Sequence, residues 1–277
     1  MKHYLLLLIL LFLSGCDICE PVVDFARDPH CEYNPSKAGA DIVELYYITN
    51  LLQEKQRPFS ICFDEYENKF YFIARSAPSQ NYYIYTVDKL TMKLERKKRI
   101  YSSVYKFTVH NNKILFPETE SKIFCAIDLS DNTVEEIDTV EMFGLDINDI
   151  IYFGVDRATD RFYLNKKGNI LQFFTYDETN STYSANESIS ISGYKSYNLR
   201  LYDNSIYRYF STIKINGDCP AYIYIHNLSD VSIIEKKINL NYLNSAAVYN
   251  VLYDGEFIWT ITEDEDRNLQ LLKLKLL

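Results

Sequence analysis

The chain has 277 residues, of which 38 are acidic and 29 are basic, so its formal net charge at pH 7 is −9. An acidic chain has no basic face from which phosphate counterions could be released, which argues against nucleic acid as a partner. Its 25 tyrosines and 16 phenylalanines favour strands over helices, and its length suits one all-β domain.

The first sixteen residues have the organisation of an export signal. A lysine and a histidine precede an unbroken apolar run at residues 5–13, which is too short to cross a bilayer. Leu-Ser-Gly-Cys then follows at residues 13–16 and resembles the lipobox of bacterial lipoproteins. The resemblance implies that residues 1–15 are a signal peptide and that an acylated Cys16 anchors the protein in a membrane, on the extracytoplasmic (periplasmic or cell-surface) side. An ordinary secretory signal with a coincidental cysteine is the alternative.

A polar, proline-containing stretch at residues 16–40 predicts a tether between the lipid anchor and the folded domain. Cys19 and Cys31 lie close together in this tether, and outside the cytoplasm we expect a local disulfide between them. The folded domain is predicted to occupy residues 41–277, because no linker divides that part of the chain.

Five copies of a strand pattern recur along the predicted domain. Each copy begins with alternating apolar and polar residues, and the copies start 46, 46, 46 and 52 residues apart. A polar turn, a second strand and a third strand follow in every copy, and a more polar fourth strand follows in the first four. The copies are predicted to start at Phe59, Tyr105, Ile151, Tyr197 and Tyr249.

Four antiparallel strands at this spacing are typical of propeller blades, and the repeats resemble a β-propeller without matching a named blade family. The fifth copy lacks a fourth strand, whereas residues 41–57 contain strand-like sequence that belongs to no copy. We therefore expect an all-β propeller of five blades whose last blade is completed by this N-terminal segment. Six blades are the alternative if residues 41–57 form a blade of their own. A helix is the alternative for the apolar spacing at Ile42, Leu45, Ile48 and Leu52.

The sequence holds no recognisable catalytic, metal or cofactor motif. Its four histidines are scattered, and neither a nucleophile elbow nor a glycine-rich phosphate loop occurs, so no metal, cofactor or catalytic residue is expected. A glycoside hydrolase is kept as the enzymatic alternative, since Asp28-Pro29 resembles a pair near the start of five-bladed propeller glycosidases. Such an enzyme needs two carboxyl groups at one mouth. Four acids in predicted loops are candidates for that pair: Glu118, Glu120, Asp146 and Asp149.

The binding hypothesis rests on the geometry of a propeller. The first strand of each blade lines the channel, so its starting end shares one mouth with the loops between the second and third strands. Aromatic and charged side chains there predict a surface that binds a protein or glycan partner without catalysis. Packing between blades is the alternative for the aromatic residues that start the first strands. The predicted mouth residues are Tyr105, Tyr197, Tyr249, Arg75, Glu118, Lys122 and Lys167, with Phe59, Asp218 and Asp264 beside them.

Overall fold

A computed structural model describes sixteen stretches of the chain, which contain 20 β-strands and one short helix, labelled β1 to β20 and α1 in chain order. Statements of absence below refer to these stretches. They are residues 39–76, 79–100, 104, 106–118, 123–130, 134–139, 150–156, 161–166, 170–177, 182–190, 198–202, 205–210, 222–230, 234–240, 247–264 and 266–277.

The 20 strands form five antiparallel sheets of four strands, and each sheet is one blade. Blade 1 consists of β2 (Ser60–Tyr66), β3 (Lys69–Arg75), β4 (Tyr82–Asp88) and β5 (Lys93–Ile100). Blade 2 consists of β6 (Thr108–His110), β7 (Lys113–Glu118), β8 (Ile123–Asp128) and β9 (Val134–Thr139). Blade 3 consists of β10 (Ile150–Asp156), β11 (Arg161–Lys166), β12 (Ile170–Asp177) and β13 (Thr182–Ser190). Blade 4 consists of β14 (Asn198–Tyr202), β15 (Ser205–Phe210), β16 (Tyr222–Asn227) and β17 (Ile234–Asn239). Blade 5 consists of β18 (Ala247–Tyr253), β19 (Ile258–Glu263), β20 (Leu269–Leu276) and β1 (Ala40–Tyr47).

The blades close into a ring. The innermost strands β2, β6, β10, β14 and β18 contact one another in that circular order, and β18 returns to β2. The predicted all-β propeller with five blades is therefore confirmed. A ring of this kind leaves only the outer strand of each blade with an unpaired edge, which is how propellers limit strand-to-strand aggregation.

The N-terminal segment completes the last blade, as the missing fourth strand predicted. β1 pairs antiparallel with β20 from Ala40 opposite Leu276 to Tyr47 opposite Gln270. The backbone N–H of Leu277 also donates to the carbonyl of Gly39 at 3.2 Å. The helical alternative for this segment holds only for the single turn of α1 (Ile48–Leu51), where the chain leaves blade 5 for blade 1.

An aromatic core fills the seam between the first and last blades. Phe63 stacks on Phe72 with ring centroids 5.5 Å apart, and Phe70 meets the single tryptophan, Trp259, edge to face at 4.7 Å. All four rings are buried, and Ile48 of α1 is buried in the same cluster. Because aromatic side chains bury the largest apolar areas, this seam is a major source of stability for ring closure.

Each outer strand is irregular where it pairs with its neighbour. Register shifts that mark β-bulges occur in the pairings of β1, β5, β9, β13 and β17. A bulge twists an edge strand and interrupts its hydrogen-bonding groups, so a strand from another molecule pairs with it poorly. The repeat therefore protects its outer rim by backbone geometry as well as by ring closure.

Candidate functional site

One end of the ring collects the starts of the inner strands and the ends of the second strands, and we call this end the mouth. Ser60 pairs with Arg75 in blade 1, and Ala247 pairs with Glu263 in blade 5. The connection from α1 to β2 crosses this end as well, because β1 ends beside Gln270 and β2 begins at Ser60. β1 itself begins at the opposite end, so the chain enters the propeller on the side away from the mouth.

A cluster of three side chains bridges blades 5 and 1 at the mouth. Arg57 donates from Nη2 to Glu263 Oε2 at 2.7 Å and to the Tyr249 hydroxyl at 3.3 Å. The Tyr249 hydroxyl in turn donates to Glu263. The side chains of Arg57 and Glu263 are 41% and 13% exposed, so solvent reaches the pair mainly from the arginine side. Burial and the hydrogen bond to Glu263 raise the pKa of Tyr249, which keeps its phenol protonated as a donor.

Tyr249 reaches this cluster because of a bulge. The prediction that the last inner strand begins at Tyr249 is wrong by two residues, since β18 begins at Ala247. The register shifts between Val248 and Asn250, so Tyr249 is the extra residue of a β-bulge. A bulge can turn a side chain out of the usual alternation of a strand, and Tyr249 is 37% exposed.

A second part of the mouth is a stacked column on blade 1. The guanidinium carbon of Arg75 lies 5.2 Å from the ring centre of Phe59 and 5.8 Å from that of Tyr82. The backbone N–H of Phe59 donates to the Arg75 carbonyl at 2.7 Å, and Arg75 also donates to Gln80. Phe59 nevertheless has 73% of its surface exposed. The column therefore presents an aromatic ring to solvent on a fixed support.

Lys106 contributes a third group at the same end. It lies two residues before the first residue of β6 and is half-buried. Burial lowers its pKa to about 8, because the charged form loses hydration there. Lys106 therefore exchanges a proton at a pH at which ordinary lysines remain fully charged.

Below the mouth, polar side chains close the axis. Arg200 of β14 donates from Nη2 to the Phe63 carbonyl of β2 at 3.0 Å, and Asn250 Nδ2 of β18 donates to the same carbonyl at 3.2 Å. Asp64 lies 3.4 Å from Arg200 and accepts hydrogen bonds of 2.9 Å from the Thr108 hydroxyl and the Val109 N–H of β6. Inner strands have no strand partner on the axis side, and these side chains satisfy their exposed backbone groups.

Little space remains around this network. A cavity of about 20 Å³ is lined by Asp64, Thr108, Arg200 and five further residues of the inner strands and by Tyr163. That volume suits a single water molecule and excludes larger ligands. Burial raises the pKa of the nearby Cys62 thiol to about 12, so the thiolate that reacts as a nucleophile does not form there at neutral pH. The middle of the axis is therefore a structural plug.

Tyr163 completes the plug from the second strand of blade 3. Its hydroxyl accepts a hydrogen bond of 3.2 Å from the N–H of Leu201 in blade 4. The ring passes over Gly154, where an added Cβ would lie only 2.4 Å from the Tyr163 hydroxyl. Glycine is required at this position for close approach, since its Cα leaves room for the ring.

The structure brings some of the predicted mouth residues together and leaves others outside the described residues. Arg75 and Tyr249 lie at the mouth, and so does Phe59. Asp264 instead accepts hydrogen bonds from Asn268 and Gln270 within the β19–β20 turn, which is a structural role. Glu118 ends β7, and only its backbone is described. Outside the described residues lie Tyr105, Tyr197, Lys122, Lys167 and Asp218, the acids Glu120, Asp146 and Asp149, and the N-terminal residues Cys16, Cys19, Asp28 and Cys31.

Sequence reasoning missed Arg57, Glu263 and Lys106 as mouth residues. Arg57 and Glu263 are separated by 206 residues, and nothing in the local sequence of either one indicates the partner. Glu263 belongs to an acidic run that resembles a solvated hairpin tip, and Lys106 resembles any polar residue of a strand with two faces.

No group of three or more histidine, cysteine or carboxylate residues that could hold a metal ion occurs within the described part of the chain. Among the described helices, none combines the length and apolar character needed to span a membrane.

Comparisons with known proteins identify the fold alone. No family model matches the chain, and no curated protein matches its sequence. Among solved structures, glutaminyl cyclase from Myxococcus xanthus is similar with a TM-score of 0.53 and 8% sequence identity, over 85% of this chain and 95% of that one. Hydrazine synthase from Kuenenia stuttgartiensis has a TM-score of 0.42 and 14% identity, over 74% of this chain. The match spans about half of hydrazine synthase, 55% of its length. The chain is thus a five-bladed β-propeller whose fold resembles that of glutaminyl cyclase.

Proposed function

We propose that the protein is a lipoprotein of the cell envelope whose propeller binds a protein or glycan partner at the mouth without catalysing a reaction. The observation that carries the proposal is the Phe59 ring, which is 73% exposed yet supported by Arg75. Exposed aromatic rings usually pack loosely or are covered, whereas a ring fixed in place gives a partner contact area at little entropic cost.

The groups around Phe59 support a recognition surface of mixed character. Arg57, Tyr249 and Glu263 form a hydrogen-bonded cluster beside it, and the chain links Arg57 to Phe59 through a single proline. Arginine and tyrosine are enriched at binding interfaces because they combine apolar area with hydrogen-bond donors. The rigid blades hold these groups in place before a partner arrives.

The proposed anchor leaves the mouth accessible. Acylation at Cys16 would attach the chain to the membrane, with residues 17–38 as the tether. Because β1 begins at the end of the ring opposite the mouth, the tether joins the propeller away from Phe59. A partner could therefore reach the mouth without displacing the tether.

Site-specific photocrosslinking tests the mouth. A benzophenone amino acid at position 59 should crosslink to a partner in intact cells, whereas the same group at position 90, an exposed turn residue of blade 1, should not. The double variant Phe59→Ser/Arg57→Ala should lose partner capture and keep its melting temperature. Equal crosslinking at both positions, or capture unchanged in the double variant, would contradict a binding mouth. Glycan partners are tested in parallel on an oligosaccharide array with the same variants.

Mass spectrometry of the mature protein tests the anchor. Acyl chains on Cys16 should be found on the first residue after cleavage, and Cys16→Ala should shift the protein from the membrane fraction or block its processing. An unmodified Cys16 on a correctly exported protein would overturn the anchor and leave the mouth proposal untouched.

The glycoside hydrolase alternative stays a prediction. Its candidate acids are Glu120, Asp146 and Asp149, together with the side chain of Glu118, and none of these is described. Release of sugar from an oligosaccharide panel, abolished by a carboxylate-to-amide variant at one of these four positions, would replace the binding proposal with the enzymatic one.

A further inference from the structure

An apolar strip occupies the outer strand of the closing blade. Ile42, Val43, Leu45 and Tyr47 of β1 are 37%, 46%, 42% and 43% exposed. They account for half of the eight large apolar or aromatic side chains that are exposed among the described residues. Clustered exposed apolar groups on a soluble domain mark an interaction surface more often than scattered ones do.

A basic strip lies on the outer strand of the neighbouring blade. β5 carries five cations, of which Lys93, Arg96, Lys97 and Arg99 are exposed, against the single acid Glu95. Blade 1, which contains β5, shares the aromatic seam with blade 5, which contains β1. Apolar and basic strips are thus adjacent on one sector of the rim, in a chain whose overall charge is −9.

The backbone of β1 disfavours a protein strand as the occupant of this strip. Its pairing with β20 shifts register between Ile42 and Glu44, which makes Val43 the extra residue of a bulge in the middle of the strand. Glu44 is engaged by Lys273 at 2.8 Å on the face towards the seam. A bulged edge offers an interrupted row of hydrogen-bonding groups, so strand addition from a second copy is hindered.

We propose that the rim sector formed by β1 and β5 lies against a bilayer that contains anionic phospholipids. The apolar side chains of β1 enter the interfacial region, and the cations of β5 attract the headgroups. This inference rests on the proposed lipid anchor, which brings the propeller to a membrane, and it adds a second contact that the anchor does not supply.

The position of the tether supports this occupant. Residues 17–38 join the propeller at Gly39, immediately before β1, so the apolar strip is the part of the ring nearest to the proposed anchor in the chain. A tether of this length can extend to roughly 70–80 Å, which by itself leaves the propeller free to tumble. Contact through the rim fixes the orientation and keeps the mouth clear of the lipid.

Vesicle sedimentation separates this contact from the anchor. The mature polypeptide from residue 16, with Cys16→Ala so that no acyl chain is present, should bind vesicles of phosphatidylglycerol and phosphatidylcholine and bind pure phosphatidylcholine at least about tenfold more weakly. Leu45→Ser/Tyr47→Ser and Lys93→Gln/Arg96→Gln should each weaken binding to the anionic vesicles about tenfold. Raised salt should weaken the wild type and the β1 variant, and it should have a smaller effect on the β5 variant.

Matched controls remove the same chemistry elsewhere on the surface. Leu90→Ser deletes the most exposed apolar side chain of the described residues, and Lys55→Gln/Arg267→Gln deletes two exposed cations away from the rim. Both controls should bind within about twofold of the wild type. Hydrogen exchange of residues 40–47 should slow when vesicles are added.

The proposal is overturned if the wild type does not bind anionic vesicles, or if the controls lose as much binding as the rim variants. A dimer by light scattering in which residues 40–47 are protected without lipid would assign the strip to a second copy instead. An unacylated Cys16 in cells would overturn the anchor alone, because the vesicle experiment contains no acyl chain.

Discussion

Two arginine–carboxylate pairs span blades in this propeller, and they differ chiefly in exposure. Arg200 and Asp64 lie on the axis with side chains 7% and 2% exposed, whereas Arg57 and Glu263 lie at the mouth with 41% and 13%. The mouth pair is the shorter one, 2.7 Å against 3.4 Å. Distance therefore does not decide which pair matters for stability. Removal of one partner leaves an uncompensated charge on the axis, whereas water replaces a missing partner at the mouth.

The same difference divides the molecule by role. On the axis, each polar group is committed to a backbone or side-chain partner in another blade, so a change there is a change in folding. At the mouth, the groups are held in place and remain open to solvent, so a change there alters recognition first. The predictions below test this division, beginning with the largest expected effect.

Arg200→Leu should destabilise the protein by about 3 to 5 kcal/mol, because Asp64 would remain buried without its cation and the Phe63 carbonyl would lose a donor. Chemical denaturation measures the loss. The double variant Arg200→Leu/Asp64→Asn should recover part of it, since no unpaired charge is left. A loss of less than about 1 kcal/mol in the single variant would mean that the axial pair is not a plug.

Gly154→Ala should cost about 1 to 3 kcal/mol, because its Cβ would overlap the Tyr163 ring, which is buried and hydrogen-bonded to Leu201. Thermal and chemical unfolding measure the cost. In a Tyr163→Leu background the same glycine substitution should cost clearly less, as a smaller side chain removes the overlap. Equal costs in the two backgrounds would show that the glycine serves the backbone rather than the ring.

Lys106 lies between the two regions and should show its character through pH. Its folded pKa of about 8 is below the ordinary value near ~10.4, so between these values the unfolded chain holds a proton that the folded chain has released. Stability from this group therefore rises as pH increases from 8 towards ~10.4, and the cost of the buried charge is fully present below pH 8. Lys106→Met should gain stability relative to the wild type at pH 7, and that advantage should shrink by pH 10. A pH-independent difference would mean that the lysine is not desolvated.

Arg57→Ala should change the free energy of unfolding by about 1 kcal/mol or less, since the pair at the mouth is reached by solvent. The same denaturation experiment as for Arg200→Leu gives a direct comparison of the exposed and buried arginines. Glu263→Gln is the matched variant, as it keeps the hydrogen bonds and removes the charge. A loss as large as that of Arg200→Leu would move the mouth cluster into the structural class and weaken its assignment as a recognition surface.

Local pattern was sufficient for the strands and for ring closure. The third strand of blade 1 and the last strand of the chain have the bounds that their alternation predicted, Tyr82–Asp88 and Leu269–Leu276. Asn111 and Asn112 both have positive φ, 47° and 60°, as the predicted tight turn requires. These features depend on neighbours within a few residues, and the missing fourth strand of blade 5 was visible as a gap in the repeat.

The site was predictable only in outline. The mouth could be located because every first strand starts there, and Arg75 and Tyr249 were named for that reason. The support of Phe59 by Arg75 depends on strand register, and the bulge that turns out Tyr249 leaves no clear mark in the alternation of β18. Asp64 looked like the polar end of a strand, although it accepts hydrogen bonds from Thr108 and Val109 of the next blade.

The sequence by itself determined the all-β class, the five-fold repeat and the completion of the last blade by residues N-terminal to the first, because alternation, turn chemistry and repeat spacing are local properties. Only the tertiary structure decided which polar residues face the axis and which face solvent. Arg200 meets the Phe63 carbonyl across 137 residues, and Arg57 meets Glu263 across 206. Such contacts depend on how neighbouring blades pack and on where bulges shift the register, and no local periodicity records either of these.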